Sequence, residues 1–186
     1  MTRGLLVGLL VAGMLASGCT TAAKQGLYAV TGASSRYFET RTLGAKTSLD
    51  AYRSVQVDAF DASALSAALP SEVAAAVRPS IVTRVAELKN FQRVASTPGS
   101  EPVLVIRGKF VDYDPGGSGL RAVGFGGDPF LTAQIEVVDA KSGKVLGEAM
   151  VTGTVKSAIR TGAAELAEGL AKAVKGLLQA HLTKAE

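Results

Sequence analysis

The sequence predicts an α+β fold, a mainly antiparallel sheet packed against a long Pro-kinked helix and a C-terminal amphipathic helix. Three patterns carry that prediction. Several segments alternate apolar and polar residues with period two, the mark of strands that bury one face. One long stretch repeats apolar residues at steps of four, and the last stretch does so with charges on its opposite side. Helices with one apolar stripe and strands with one apolar face must cover each other, which gives layers of helix on sheet.

In "YRSVQVDAF", Tyr52 to Phe60, the residues Val55, Val57 and Ala59 fall on one face, so a strand is expected. From Ser63 to Asn90, the residues Leu65, Leu69, Val73, Val77, Ile81, Val85 and Leu88 form a single stripe. Pro70 and Pro79 interrupt it. Each removes a backbone donor, so the helix should start near Ser71, with Glu72 favouring its positive end, and should kink or break near Pro79. The spacing continues across Pro79, which argues for bending.

"FQRVAS" after Asn90 reads as a short strand, and "PVLVIRGKFVDYD", Pro102 to Asp114, as a longer one rich in β-branched residues. A glycine-rich connection, Pro115 to Pro129, leads to "FLTAQIEVVDA", where Leu131, Ala133, Ile135 and Val137 alternate with polar neighbours. "DAKSGK" has turn chemistry, and "KVLGEAMVTGTV" follows as an antiparallel partner. The closing segment places Leu166, Leu170, Val174, Leu177, Leu178 and Leu182 on one helical face and Glu165, Glu168, Lys172 and Lys175 on the other, with Thr161 as its cap.

Ahead of this body stands a leader. Arg3 is a lone positive charge, Leu5 to Leu15 are apolar, and Ala16, Ser17 and Gly18 are small, which is the three-part pattern of a secretory signal peptide. At ~1.5 Å per helical residue the apolar run is too short to cross a hydrocarbon core about 30 Å thick. The chain's only cysteine, Cys19, follows directly. The division expected is a signal peptide at 1–18, a lipidated N-terminus and short tether at 19–26, and a single α+β domain at 27–186.

"LASGC" resembles a bacterial lipobox, with Ala16 where such boxes usually carry Leu. The resemblance implies that the Cys19 thiol takes a diacylglycerol thioether, making the membrane a partner through an N-terminal lipid. Thr20 in place of Asp implies the outer membrane, periplasmic face. The alternative is a secreted protein with a free thiol, an unusual state in an oxidising compartment.

Loss of residues 1–18 from the 186 leaves 168, enough for one core. The net charge of +4 falls to +3 as Arg3 leaves, and no dense basic block argues for nucleic acid. The glycine-rich segment lacks the Lys-Ser/Thr pair and following helix of a phosphate loop. Asp112, Asp114 and Asp128 flank it without the bidentate glutamate of a calcium loop. No Gly-x-Ser-x-Gly elbow occurs, and the sole histidine, His181, reads as a surface or helix-end residue. The expectation is therefore no enzyme activity, no metal, no cofactor and no identified small-molecule substrate. The glycine segment is either a hairpin connection or a partner-binding loop that offers Arg121, Val123 and Phe125.

The succession "YRSVQVDAF", a long amphipathic helix, "FQRV", "LVIRGKFVDYDPG", "LRAVGFGG" and "IEVVDAKSGKVLGE" resembles an uncharacterised family of bacterial lipoproteins defined only as a domain of unknown function. The resemblance covers about Leu49 to Lys184 and implies no catalytic residues. More distantly, the element order is similar to the fold of the curli-secretion lipoprotein and of the lipoprotein activator of penicillin-binding proteins. A non-enzymatic envelope module that binds a protein partner is the leading expectation, and a self-assembling component of a secretion channel is the alternative.

Overall fold

The computed structural model describes residues 33–41, 49–65, 68–95, 102–117, 127–156 and 162–182. Six strands form one curved sheet: β1 (Ala33–Arg41), β2 (Ser54–Val57), β3 (Arg93–Ala95), β4 (Val103–Asp114), β5 (Phe130–Asp139) and β6 (Val145–Val155). Among the described residues two helices, α1 (Ser71–Ala86) and α2 (Ala163–Ala180), pack with it, and a short 3-10 turn lies at Leu49–Ala51. The spatial order is β1-β6-β5-β4-β2-β3. Pairs β1/β6, β6/β5 and β5/β4 are antiparallel, while β2 runs parallel to both β4 and β3. The α+β class and the mostly antiparallel sheet stand as expected.

Both helices lie on the same face of the sheet. Helix α1 packs on β2, β3 and α2, and α2 packs on β6, β1 and β5. The core between them joins Val73, Val77, Ile81 and Val85 of α1 with Leu166, Leu170, Val174 and Leu177 of α2 and with Ile106, Phe110, Ile135 and Val151 of the sheet. Burying each such side chain contributes about 1.5–3 kcal/mol.

Two glycines let α2 and β6 touch backbone to backbone. A Cβ on Gly153 would lie 2.5 Å from the Leu170 amide nitrogen, and one on Gly169 would lie 2.9 Å from the Gly153 Cα. Charges close the open side of the helix pair. Arg84 hydrogen-bonds Glu168 and Glu87, and Lys175 Nζ donates to Glu87 at 2.7 Å. The polar face expected of α2 therefore partly meets α1 instead of water.

Several boundaries differ from expectation. The first strand expected, Tyr52–Phe60, is only Ser54–Val57. Ala59 is exposed, and Phe60 folds over Gly108 with its ring centre 5.5 Å from that of Phe110 and tilted 39° to it. Helix α1 passes Pro79 without a break, and the ends of the long apolar stripe, Leu65, Leu69 and Leu88, pack from outside the helix. The α2 cap is Gly162, and Thr161 lies outside the described residues. Strand β1 is an element that the periodicity does not predict. Its inward positions include Ser35 and Glu39, so it lacks the apolar alternation that marks the other strands.

Candidate functional site

No helix covers the second face of the sheet among the described residues, and register decides what gathers there. Arg36 of β1 pairs with Thr152 of β6, Thr152 with Thr132 of β5, and Thr132 with Asp112 of β4. One row across four strands thus carries a cation, two hydroxyls and a carboxylate. The next row is Ser34, Thr154, Phe130 and Asp114. A bulge between Phe110 and Asp112 makes the first row possible. Residues two apart normally share a face, so the extra residue turns Asp112 outward while Phe110 stays in the core.

These rows, apart from Asp114, floor a groove of about 620 Å³, with Lys156 at its β6 end. That volume lies within the range of small-molecule sites. The Thr132 and Thr152 hydroxyls are 3.1 Å apart and hydrogen-bond each other, and Thr152 is buried. The Ser34 hydroxyl donates to the Thr154 carbonyl at 3.4 Å. Among the described residues Arg36 and Asp112 have no ion-pair partner, so both charges remain available to a ligand. Along β1 the next outward residue is Phe38, which is 71% exposed and pairs with Met150.

The glycine-rich connection leaves from the groove's end. Its two legs meet at Gly116, whose backbone has φ +68°, and a Cβ there would stand 2.9 Å from the Gly127 carbonyl oxygen. The Asp114 carboxylate accepts from the Gly116 amide at 2.6 Å. Of the residues singled out in the sequence, Asp112 lines the groove and Asp114 braces the loop. Arg121, Val123 and Phe125 lie outside the described residues, as does Cys19. His181 is the helix-end residue expected. It is half-buried, closing α2 with its imidazole 2.9 Å from Glu39 of β1, and does not face the groove. The groove itself escaped sequence reasoning, although its alternating Thr132, Thr152 and Thr154 are a hydroxyl signature once strand pairing is known.

Away from the groove, one carboxylate is tuned by the fold. The Ser142 hydroxyl and amide, and then the Tyr52 hydroxyl at 2.7 Å, donate to Asp139 and hold it at about 2. Burial, and next the bond to Asp139 and its charge, push Tyr52 up to about 12. This pair ties the segment ahead of β2 to the end of β5. It serves structure, since it lies at the far end of the strands. Among the described residues no group of three or more His, Cys, Asp or Glu side chains could hold a metal. No helix among them is long and apolar enough to cross a membrane.

A family described as Domain of unknown function (DUF4410) matches residues 44–158. The match takes in β2 through β6 and leaves out β1, which forms one wall of the groove. No curated protein matches. Two solved structures are similar in fold. One is a variant PelC dodecamer from Paraburkholderia phytofirmans, with a TM-score of 0.55 at 17% identity, covering 77% of this chain and 97% of that one. The other is a PelC dodecamer from the same organism, with a TM-score of 0.54 at 15% identity, covering 81% and 99%.

Proposed function

The chain belongs to the family described as Domain of unknown function (DUF4410), and on that premise we propose that it is a lipid-anchored envelope lipoprotein acting as a non-enzymatic protein-binding or assembly module. Its Cys19 carries the lipid, its place is the periplasmic face of the outer membrane, and its partners are envelope proteins. The observation that carries this reading is the extent of the likeness to PelC. The match takes in 97% and 99% of those chains and 77% and 81% of this one, so a fold known in assembled form accounts for most of the chain. The groove adds support: its threonine hydroxyls bond each other, and the sole histidine is engaged with Glu39 elsewhere.

Two measurements test this. Globomycin, which blocks lipoprotein signal cleavage, should leave a larger, unprocessed precursor in living cells; an unchanged size would sink the anchor. A photocrosslinker at Phe125, in the glycine-rich connection, should capture a defined envelope protein. Absence of any adduct from a stably folded variant would overturn the partner-binding role of that loop.

A second reading, a self-assembling component of a secretion channel, is favoured by the dodecameric state of both structural neighbours. It requires a multimeric mass for the acylated chain in detergent by light scattering. A monomeric mass would remove it.

A further inference from the structure

We propose that the outer face of β1 docks on the lipid surface that holds the anchor, with Arg36 binding an anionic phospholipid headgroup and Phe38 entering the acyl boundary. The proposal rests on the lipid-anchored reading and adds a second, protein-made membrane contact to it.

Three observations support this, and each points the same way. Phe38 is the most exposed large apolar side chain among the described residues, at 71%, and lies on an edge strand with only Met150 opposite it. A solvent-facing phenylalanine two residues from an arginine is the pairing that interfacial segments use, the ring in the acyl boundary and the cation at the phosphates. Arg36 is exposed, has no ion-pair partner among the described residues, and stands about 7 Å along the strand from Phe38. Thr152 in its own row and Ser34 and Thr154 in the next give the groove beside it a polar floor. Arg41, 60% exposed with only a 3.6 Å contact to Glu148, adds a second cation at the far end of the strand. Each such cation near an anionic surface strengthens the attraction and makes it depend on salt.

Reach is the third observation. Residues 20–32 are all the chain that separates Cys19 from Ala33, where β1 begins. A segment of that length spans at most ~50 Å, little more than one domain diameter. Of the six strands, β1 is the one that the tether joins directly to the anchor. The carboxylate of Asp112 does not oppose the arrangement. It closes the same row at its other end, three strands away, or about 14 Å.

The chain contains no tryptophan, so Phe38→Trp supplies a single reporter at an exposed position. The full acylated chain carrying it is reconstituted into phosphatidylcholine vesicles, with and without phosphatidylglycerol, and with bromines placed high on the acyl chains. The expected result is blue-shifted emission from the introduced indole with strong bromine quenching. Adding Arg36→Glu should reduce the quenching several-fold in the anionic vesicles and hardly at all in the neutral ones. Unquenched, red emission from protein that still floats with the vesicles overturns the docking while leaving the anchor intact. A blue shift that grows with protein density but shows no bromine quenching assigns the patch to a second copy and also overturns it. Failure of the protein to float would instead fault the lipid anchor, and with it the docking that rests on it.

Discussion

Neighbouring residues of β6 live under opposite rules. Gly153 faces α2 so closely that a single added carbon would strike the helix backbone, while Thr152 and Thr154 on either side of it face the open groove. The same holds in β5, where Leu131, Ala133, Ile135 and Val137 are fully buried and Thr132 helps floor the groove. Strand periodicity separates the two faces, so one can be packed to interior density while the other keeps unneutralised charge. At the groove end of these strands, core packing and the open polar face therefore reside in alternate residues, and substitutions should divide accordingly.

The sharpest break of that division is Leu170→Ala. It removes a fully buried side chain at the α2 contact with β6 and should lower unfolding free energy by about 2–5 kcal/mol, read as a fall in the urea midpoint at unchanged slope. Gly169→Ala should cost nearly as much, about 3 kcal/mol. Its Cβ would meet the Ser34 carbonyl at 2.7 Å and the Gly153 Cα at 2.9 Å, both backbone atoms that cannot step aside. A stable Gly169→Ala protein would show that α2 does not seat on β6 in this way. Gly116→Ala should have a smaller effect, about 1–2 kcal/mol, from the left-handed backbone and the contact with Gly127.

A pH series tests the tie at the other end of the strands. The Asp139 carboxyl is depressed to about 2 from an unfolded value near ~3.9. Its contribution is therefore complete above about pH 4 and is lost as pH falls through about 2. Tyr52 is raised to about 12 from about 10, so its contribution is complete below about pH 10 and is lost as pH rises through about 12. Tyr52→Phe should abolish the alkaline loss attributable to that group and move the acid loss to slightly higher pH, both read from melting temperature against pH. The smallest effect belongs to the open face. Arg36→Glu should change stability by less than ~0.5 kcal/mol while reversing the charge of the groove wall. A large destabilisation there would mean that the two faces are not independent.

Much of this fold is legible in advance, for a local reason. Strands β4, β5 and β6 lie within a residue of the expected segments, because β4 is rich in β-branched residues and the inward Leu131, Ala133 and Ile135 of β5 alternate with polar Thr132, Gln134 and Glu136. The buried stripe Val73, Val77, Ile81 and Val85 is likewise a property of spacing alone. Strand β1 is not legible. It is an edge whose exposed face needs no apolar residues, and whose partner β6 lies more than a hundred residues away.

Local order in the chain thus settled the class of the fold, most of its elements and the residues of its core, since periodicity and turn chemistry act between near neighbours. The groove belongs to a different order of information. Arg36, Thr152, Thr132 and Asp112 meet only because three strand registers and one bulge align them, and nothing in their individual surroundings along the chain announces it. Hydrogen-bonded pairing between distant strands is what converts four ordinary polar residues into one surface, and pairing is a property of the folded body.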